Sequence, residues 1–429
     1  MKFNLHLKFA LVIVLLLGFY SQVFCWDCHF IYLKLVSNAL QAGYPLLGEK
    51  VHYSALEPFL EKNSSEIRKR LKEFYTWKNK VYPYQQWILT DDGKAALDST
   101  AALTPAQFKL LLGVQEMAFN SITPPELFTE AFGTIVANPA TELPFSTWLC
   151  CFSDEPDWGM DLYLFNGDPR YGTIPFGDPQ KYSSQSAFHQ DYNNESFVMY
   201  KLMPSLKQSM AFLRFTIFTE MAGIALKSGD LFWAARFLGN SLHYQQDVIV
   251  PYHSRVFPNF SFGTAWAYLT ASDKEKFIRE KTQLLANHQF LYETLVCETL
   301  FGRLQCIESV MPDCHGIIMS AANCPQPPAG IGKYLDEFNQ SSEKAYYHAN
   351  AVDTMICDVF PAKLTSDPGY DPGLDQSFDI FEYFNPQIPD YSEKEKKFLL
   401  EFRSDLTDTL TATTKLVAGF LSATAKSIQ

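Results

Sequence analysis

The stretch LFWAARFLGNSLHYQQDVIVPYH (231–253) decides how the rest of the chain reads. Leu231 to Val248 is apolar with a helical period, and Pro251 ends that helix and turns the chain. His243 and Asp247 are four residues apart, so the helix presents both on one face. The turn at Pro251 brings His253 back towards them. A single histidine on a helix is usually a satisfied structural residue. An imidazole, a carboxylate and a second imidazole together on an otherwise apolar segment read instead as a divalent-metal site, with zinc the leading candidate.

The helical period extends outward from this segment. PSLKQSMAFLRFTIFTEMAGIALKSG (204–229) is a long apolar helix ending at Gly229, so it and 231–248 are expected to pack as an antiparallel pair. PAQFKLLLGVQEMAFNSI (105–122) opens behind Thr104 with proline at its first position. Ser272 with Glu275 predicts a capping box for a helix reaching about residue 300, and Ser392 with Glu395 predicts another. The segment 406–427 continues the helical period. Clear runs of alternating strands are missing. The expected fold is all-α: a compact multi-helix bundle with long irregular loops at 153–197 and 361–391. The acidic SDPGYDPGLD within the second loop lacks EF-hand spacing and reads as a solvated turn.

The chain has 429 residues, 47% of them hydrophobic and 19% charged, which places it among globular proteins. Its net charge of −12 argues against a sequence-independent nucleic-acid binder. Lys2 and Lys8 precede the apolar run FALVIVLLLGFY and a short polar SQ, the three regions of a secretory signal. That run falls short of the roughly 20 residues a spanning helix needs. Val23 and Cys25 stand at −3 and −1 of a cut between Cys25 and Trp26. Residues 1–25 are therefore expected to be a cleaved signal peptide and 26–429 one catalytic domain, secreted and without a transmembrane segment. Of nine cysteines, eight would remain after cleavage, as an oxidising compartment favours. Four fall within 297–324, where a local disulfide cluster is plausible; the pairing itself cannot be read from sequence.

Three further histidines are candidate partners for the central triplet. His29 follows the expected cut. His189 ends a long loop that opens on SDEPDWGMD, with Asp154, Asp157 and Asp161. His288 shares a predicted helix with Glu293. His52, His315 and His348 have no acidic or histidine partner at helical spacing and read as structural or surface residues.

LGNSLHYQQDVIVPYH is similar to the His-Tyr-x-x-Asp-x-x-x-Pro-x-His helix of the bacterial zinc-dependent phospholipases C, a family related in fold to the fungal single-strand-specific nucleases. Mature members of that family begin at a tryptophan whose amino nitrogen and carbonyl oxygen chelate zinc, beside a nearby histidine; Trp26 and His29 fit that pattern at a shorter gap. The resemblance is anchored over about residues 26–300.

It implies three zinc ions per chain. One of a close pair would take Asp157, His189, His243 and Asp247. The other would take the Trp26 terminus, His29 and Asp247, with Asp247 bridging. The third would take His253, His288 and Glu293. The choice of Asp157 over Asp154 or Asp161 follows the family's habit of placing this aspartate in an exposed turn. The family's second histidine and glutamate are four apart, whereas His288 and Glu293 are five apart, about 140° round an ideal helix. A π-bulge or another oxygen donor would have to complete that site.

The implied activity is hydrolysis of the glycerol-side phosphodiester of phospholipids to diacylglycerol and a phosphorylated headgroup, through a zinc-bound hydroxide, with Asp157 as the family's general base. The partner is then a phospholipid at a membrane surface, met by a monomer. A glycosylphosphatidylinositol substrate is an alternative within this reading. A single-strand nuclease of the same superfamily is disfavoured, because SRVFPNFSFGTAW after His253 lacks the Gly-Gly-Asn those enzymes carry and the charge is acidic. GNSLH lacks the second glycine of a serine-hydrolase elbow. CWDC has no βαβ surroundings, and one of its cysteines lies in the leader, against a redox role. A non-catalytic binding protein would require the central triplet to be incidental.

Overall fold

The computed structural model describes residues 28–84, 89–115, 118–119, 132–133, 135, 138, 140–158, 160–161, 186–202, 204–302, 313–323, 335–375, 377–383 and 391–427. The leader, the expected cut and Trp26 lie outside the described residues. In chain order the elements are α1 (His29–Leu40), β1 (Lys50–His52), α2 (Leu56–Val81), α3 (Asp91–Asp98), α4 (Pro105–Leu112), β2 (Glu142–Pro144), α5 (Phe145–Ser153), α6 (Ser186–His189), α7 (Phe197–Leu202), α8 (Ala211–Ser228), α9 (Leu231–Asp247), α10 (Pro251–Ser254), α11 (Phe262–Thr270), α12 (Lys274–Leu300), α13 (Cys314–Ala322), α14 (Leu335–Val359), α15 (Ala362–Thr365) and α16 (Glu393–Ser427). The fold is all-α. Its strands among the described residues are one antiparallel pair, β1 with β2, in the register Lys50↔Pro144, Val51↔Leu143 and His52↔Glu142. Three residues per strand leave too little alternation to be seen in sequence.

The α8–α9 pair is the centre of the bundle. Gly229 closes α8 in the left-handed region at φ 78°, and Asp230 caps α9 by accepting from the Trp233 amide at 3.2 Å. The expected antiparallel pair is therefore present. Every residue of α9 after Leu231 is buried. The window Leu206–Ser228 is long and apolar enough to cross a bilayer, but 89% of it is buried inside the fold, as befits a core helix. One hydrophobic core extends from Cys28 to Leu421.

Some helix limits differ from expectation, each for a local reason. The segment 105–122 ends as a helix at Leu112, because Gly113 adopts φ 65° and Arg214 donates to the Leu112 and Gly113 carbonyls at 2.6 and 2.8 Å. Residues 204–208 form a 3₁₀ turn ahead of α8. At α12 the cap is Asp273, which accepts from the Lys276 amide at 2.9 Å, one residue beyond the expected Ser272. The Ser392–Glu395 capping box forms as expected, with bonds of 2.7 and 3.3 Å, and opens a helix that runs on through 427. In the 361–391 loop, Asp367 and Asp371 accept from the Gly369 and Gly373 amides at 2.8 and 3.0 Å, so these carboxylates hold turns.

The resolved disulfide is not local to 297–324. It joins Cys28 to Cys297 across a separation of 269 residues, whereas Cys150, Cys151, Cys314 and Cys357 are free thiols. Cys306 and Cys324 lie outside the described residues. The bridge ties the start of α1 to α12, and so the segment carrying His29 to the helix carrying Glu293. In the chain-entropy view, closing so long a loop stabilises by about 5 kcal/mol. A disulfide of this kind fits an oxidising, extracytoplasmic environment.

Candidate metal centre

Helix α9 is buried on all sides, yet Arg236, Asn240, His243 and Asp247 form a polar stripe along it. A buried polar stripe must find partners or forfeit its desolvation cost. The C-terminal end of α5 and the 3₁₀ turn Glu155–Trp158 supply them. Arg236 grips Glu155 with Nη2 and with Nε at 3.0 and 3.2 Å. Asn240 donates to Glu155 and to the Phe152 carbonyl, both at 3.0 Å. The Ser153 carbonyl accepts from His243 Nδ1 at 2.7 Å. These contacts fix the turn that carries Asp157 over the end of the stripe.

His243 therefore presents Nε2 inward. That atom lies 3.2 Å from Asp247 Oδ2, 3.6 Å from Asp157 Oδ1 and 2.8 Å from His189 Nδ1. His189 Nδ1 in turn lies 2.9 Å from Asp247 Oδ2 and 3.4 Å from Asp157 Oδ1. On the other side, His29 Nδ1 is held at 2.8 Å by Gln246 Oε1, and its Nε2 lies 3.6 Å from Asp247 Oδ1 and 4.0 Å from Asp157 Oδ2. His253 Nδ1 lies 3.1 Å from Asp247 Oδ1. Asp247 thus turns one oxygen to His189 and His243 and the other to His29 and His253, the disposition of a bridging carboxylate.

The three candidate aspartates differ in their partners. Asp157 faces His29, His189 and His243. Asp161 lies 3.6 Å from His189 Nε2 but accepts from Arg214 and from the Tyr244 hydroxyl, both at 2.6 Å. Asp154 accepts from the Phe30 amide at 3.3 Å.

The third expected ligand set is not assembled as written. His253 Nε2 and Glu293 Oε1 approach to 3.3 Å, so those two converge. His288 does not join them. It turns to Asp353, with Nδ1 at 2.7 Å from Oδ1. The reason is the five-residue gap: no π-bulge breaks α12, and the residue four before Glu293 is Gln289. Gln289 Nε2 donates to Glu293 at 2.8 Å and lies 3.0 Å from His253 Nε2. Nothing but the i, i+4 spacing from Glu293 marks Gln289 in the sequence. Gln246, Arg236, Asn240 and Glu155 are also residues that sequence reasoning passed over; the stripe on α9 was the signal available for two of them.

The electrostatics suit a cation. Burial and the neighbouring His243 hold His29 well below the usual histidine range, so it is neutral. Burial opposes ionisation of Asp247, but His243, His253 and His189 outweigh it and keep its carboxyl well below the usual range. His253 is likewise opposed by burial, and Asp247 and Glu293 push it up to about 10. Burial raises Glu293. His189 Nε2 is buried and makes no hydrogen bond among the described residues. Two groups, His29–His243–Asp247 and Asp157–His189–His243, bring their donor atoms close enough to share an ion each. The donor set, nitrogen and carboxylate oxygen with the outer nitrogens of His29 and His243 already engaged, fits a divalent metal ion. No family model, curated protein or solved structure matches the chain.

Proposed function

We propose that the chain is a secreted, zinc-dependent phosphodiester hydrolase of the phospholipase C type, acting on phospholipid at a membrane surface. The observation that carries this is Asp247, whose two oxygens face two sets of buried imidazoles with Asp157 closing over them. The motif around 243–253 and the convergence of His29, Asp157, His189, His243 and Asp247 support membership of the phospholipase C and nuclease superfamily.

Zinc, when bound, supplies Lewis acidity that makes water nucleophilic near neutral pH and offsets charge on phosphoryl oxygens. The chain's own residues set the geometry. Gln246 and the Ser153 carbonyl fix the ring planes of His29 and His243, so that the Nε2 atom of each would be available to a metal. Asp247, with one oxygen towards His189 and His243 and the other towards His29 and His253, would be a ligand common to both donor groups. Asp157, with both oxygens directed at the cluster, is placed to accept the proton of the attacking water. His253 with Glu293 offers a third, thinner site, in which Gln289 stands where a histidine would be a stronger donor.

Phospholipid is preferred to nucleic acid as substrate because of α11, which follows His253 by a short connection. None of its nine residues is buried, and Phe262, Trp266 and Leu269 are exposed by 85%, 60% and 53%. Their spacing puts all three on one face. A helix with an exposed aromatic and aliphatic stripe suits the boundary of a bilayer. Lys274, at the start of α12, lies 5.4 Å from the Tyr268 ring of α11 and would meet anionic headgroups.

The test is to purify the mature protein, measure its zinc, and assay a phosphorylcholine ester and single-stranded DNA in parallel. Phosphoryl headgroup release that a chelator abolishes, zinc restores, and Asp247→Asn reduces by at least about 100-fold is expected. Cleavage of the DNA alone would move the assignment to the nuclease branch. Protein that binds no zinc would remove the enzymatic reading altogether.

A further inference from the structure

The histidine that leaves the buried cluster enters another. His288 on α12 is held with Nδ1 2.7 Å from Asp353 Oδ1, and its Nε2 lies 2.9 Å from the Thr365 carbonyl and 3.8 Å from Cys357 Sγ. Asp353 and Cys357 are four apart on α14, hence on one face. His288, Asp353 and Thr365 are buried, whereas Cys357 is exposed and free, so the cluster has a floor and an open mouth. Asp353 is itself anchored: Tyr252 donates to Oδ1 at 3.3 Å and Asn259 to Oδ2 at 2.9 Å.

We infer that His288 Nε2, Cys357 Sγ and the Thr365 carbonyl form a separate binding site for a thiophilic divalent cation such as zinc, with Asp353 orienting the imidazole from behind.

Three observations carry this. First, the spacing suits the ion. Tetrahedral zinc with bonds of about 2.0–2.1 Å to nitrogen and about 2.3 Å to sulfur separates the two donors by about 3.6 Å, close to the 3.8 Å found. The nitrogen–carbonyl pair, now at hydrogen-bond distance, would open by about 0.5 Å to admit an oxygen ligand at about 2.1 Å. Second, the carboxylate on Nδ1 with a soft donor near Nε2 is the carboxylate–histidine–metal arrangement, in which the outer partner sets tautomer and ring orientation. Third, the surroundings favour a cation over a bare thiolate. Cys357 sits in the last turn of α14, and Thr365 ends α15; both places expose carbonyls without helical partners, and their partial negative charge disfavours a free anion. That is why a metal site is preferred to a Cys–His–Asp nucleophile, which the same three side chains would also suggest. Entry of the ion displaces the protons on Nε2 and Sγ into solvent, and a water takes the fourth position.

The buried centre contains no cysteine among its donors, so sulfur ligation reports on this site alone. The experiment is titration of the metal-free full chain with cobalt(II), read by thiolate-to-cobalt charge-transfer absorption in the near ultraviolet, after mass spectrometry of the alkylated protein confirms a free Cys357 thiol. One equivalent of cobalt with a thiolate band is expected. The band should disappear in Cys357→Ser and in His288→Gln, persist in Cys314→Ser, and require about 10–100-fold more cobalt in Asp353→Asn. Wild-type protein without the band, a band surviving in Cys357→Ser, or Cys357 found in a disulfide would each overturn the inference. If the buried centre failed to bind metal, the sulfur band would still be expected.

Discussion

Gly239 is where the candidate centre depends on packing most directly. It lies on α9 between Arg236 and Asn240 and faces α5. A Cβ there would stand 2.8 Å from the Leu149 carbonyl oxygen and 3.0 Å from both the carbonyl carbon and Cβ of Phe152. These are mostly backbone atoms of a buried helix, so no flexible side chain can yield. In Gly239→Ala, α5 and α9 would have to separate by about half an ångström. Overpacking of this kind costs about 1–3 kcal/mol, and replacing a helical glycine by alanine returns about 1 kcal/mol, so the net loss reaches about 2 kcal/mol. The same movement carries the Ser153 carbonyl that orients His243 and the turn that carries Asp157. Metal sites tolerate about 0.2 Å, so zinc retention after dialysis should fall by at least about tenfold.

Gly223 on the neighbouring helix α8 provides the contrast. A Cβ there meets nothing within 4 Å. Gly223→Ala should therefore stabilise by up to about 1 kcal/mol and leave zinc unchanged. The assay is chemical denaturation of the two variants beside wild type, with zinc measured on the same preparations. The expected separation is about 1–3 kcal/mol, with Gly223→Ala the more stable. Gly239→Ala at or above the stability of Gly223→Ala would refute the close-approach argument.

Gln289→His should strengthen the site at His253 and Glu293 by placing an imidazole four residues before the glutamate, raising bound zinc per chain; an unchanged stoichiometry counts against that site. His348 is bonded to Asp405 at 2.8 Å and to Glu401 at 2.8 Å, and these partners raise it from 6.5 to about 9. A raised histidine adds stability that is complete below pH 6.5 and is lost as pH rises through about 9. For this part-exposed group the contribution is at most about 1 kcal/mol, and His348→Gln should flatten stability between those pH values in denaturation series. Replacing Phe262 and Trp266 together by serine should weaken sedimentation with anionic phospholipid vesicles by at least about tenfold, with hydrolysis of a soluble ester substrate retained; equal vesicle binding would remove α11 from the membrane-facing surface.

The helices of the bundle centre were legible because hydrophobic period and capping chemistry are local. Thr104, Gly229 and Ser392 mark element ends by interactions with residues three or four positions away. The pairing of His243 with Asp247 was legible for the same reason. His189 could be named as a candidate from the acidic run that opens its loop, and His29 from its place just after the expected cut, but their convergence could not be derived without the fold. Where several partners competed at long range, sequence had no means of choosing. Asp161 also approaches His189, at 3.6 Å, and is distinguished from Asp157 because Arg214 and Tyr244 engage its two oxygens. His348 read as a surface residue because its acidic partners lie on another helix. Cys297 pairs with Cys28, 269 positions away, and not with a cysteine of its own 297–324 cluster.

The amino-acid sequence by itself determined the all-α class, the central antiparallel pair and the metal-type triplet on its second helix, because each follows from spacing along one helix. Tertiary structure alone decided which carboxylate closes over the triplet, that Gln289 replaces His288 beside Glu293, and that His288 meets Asp353 and Cys357. The physical reason is that one residue of offset on a helix turns a side chain by about 100°. Which neighbour it then meets depends on the helices packed around it.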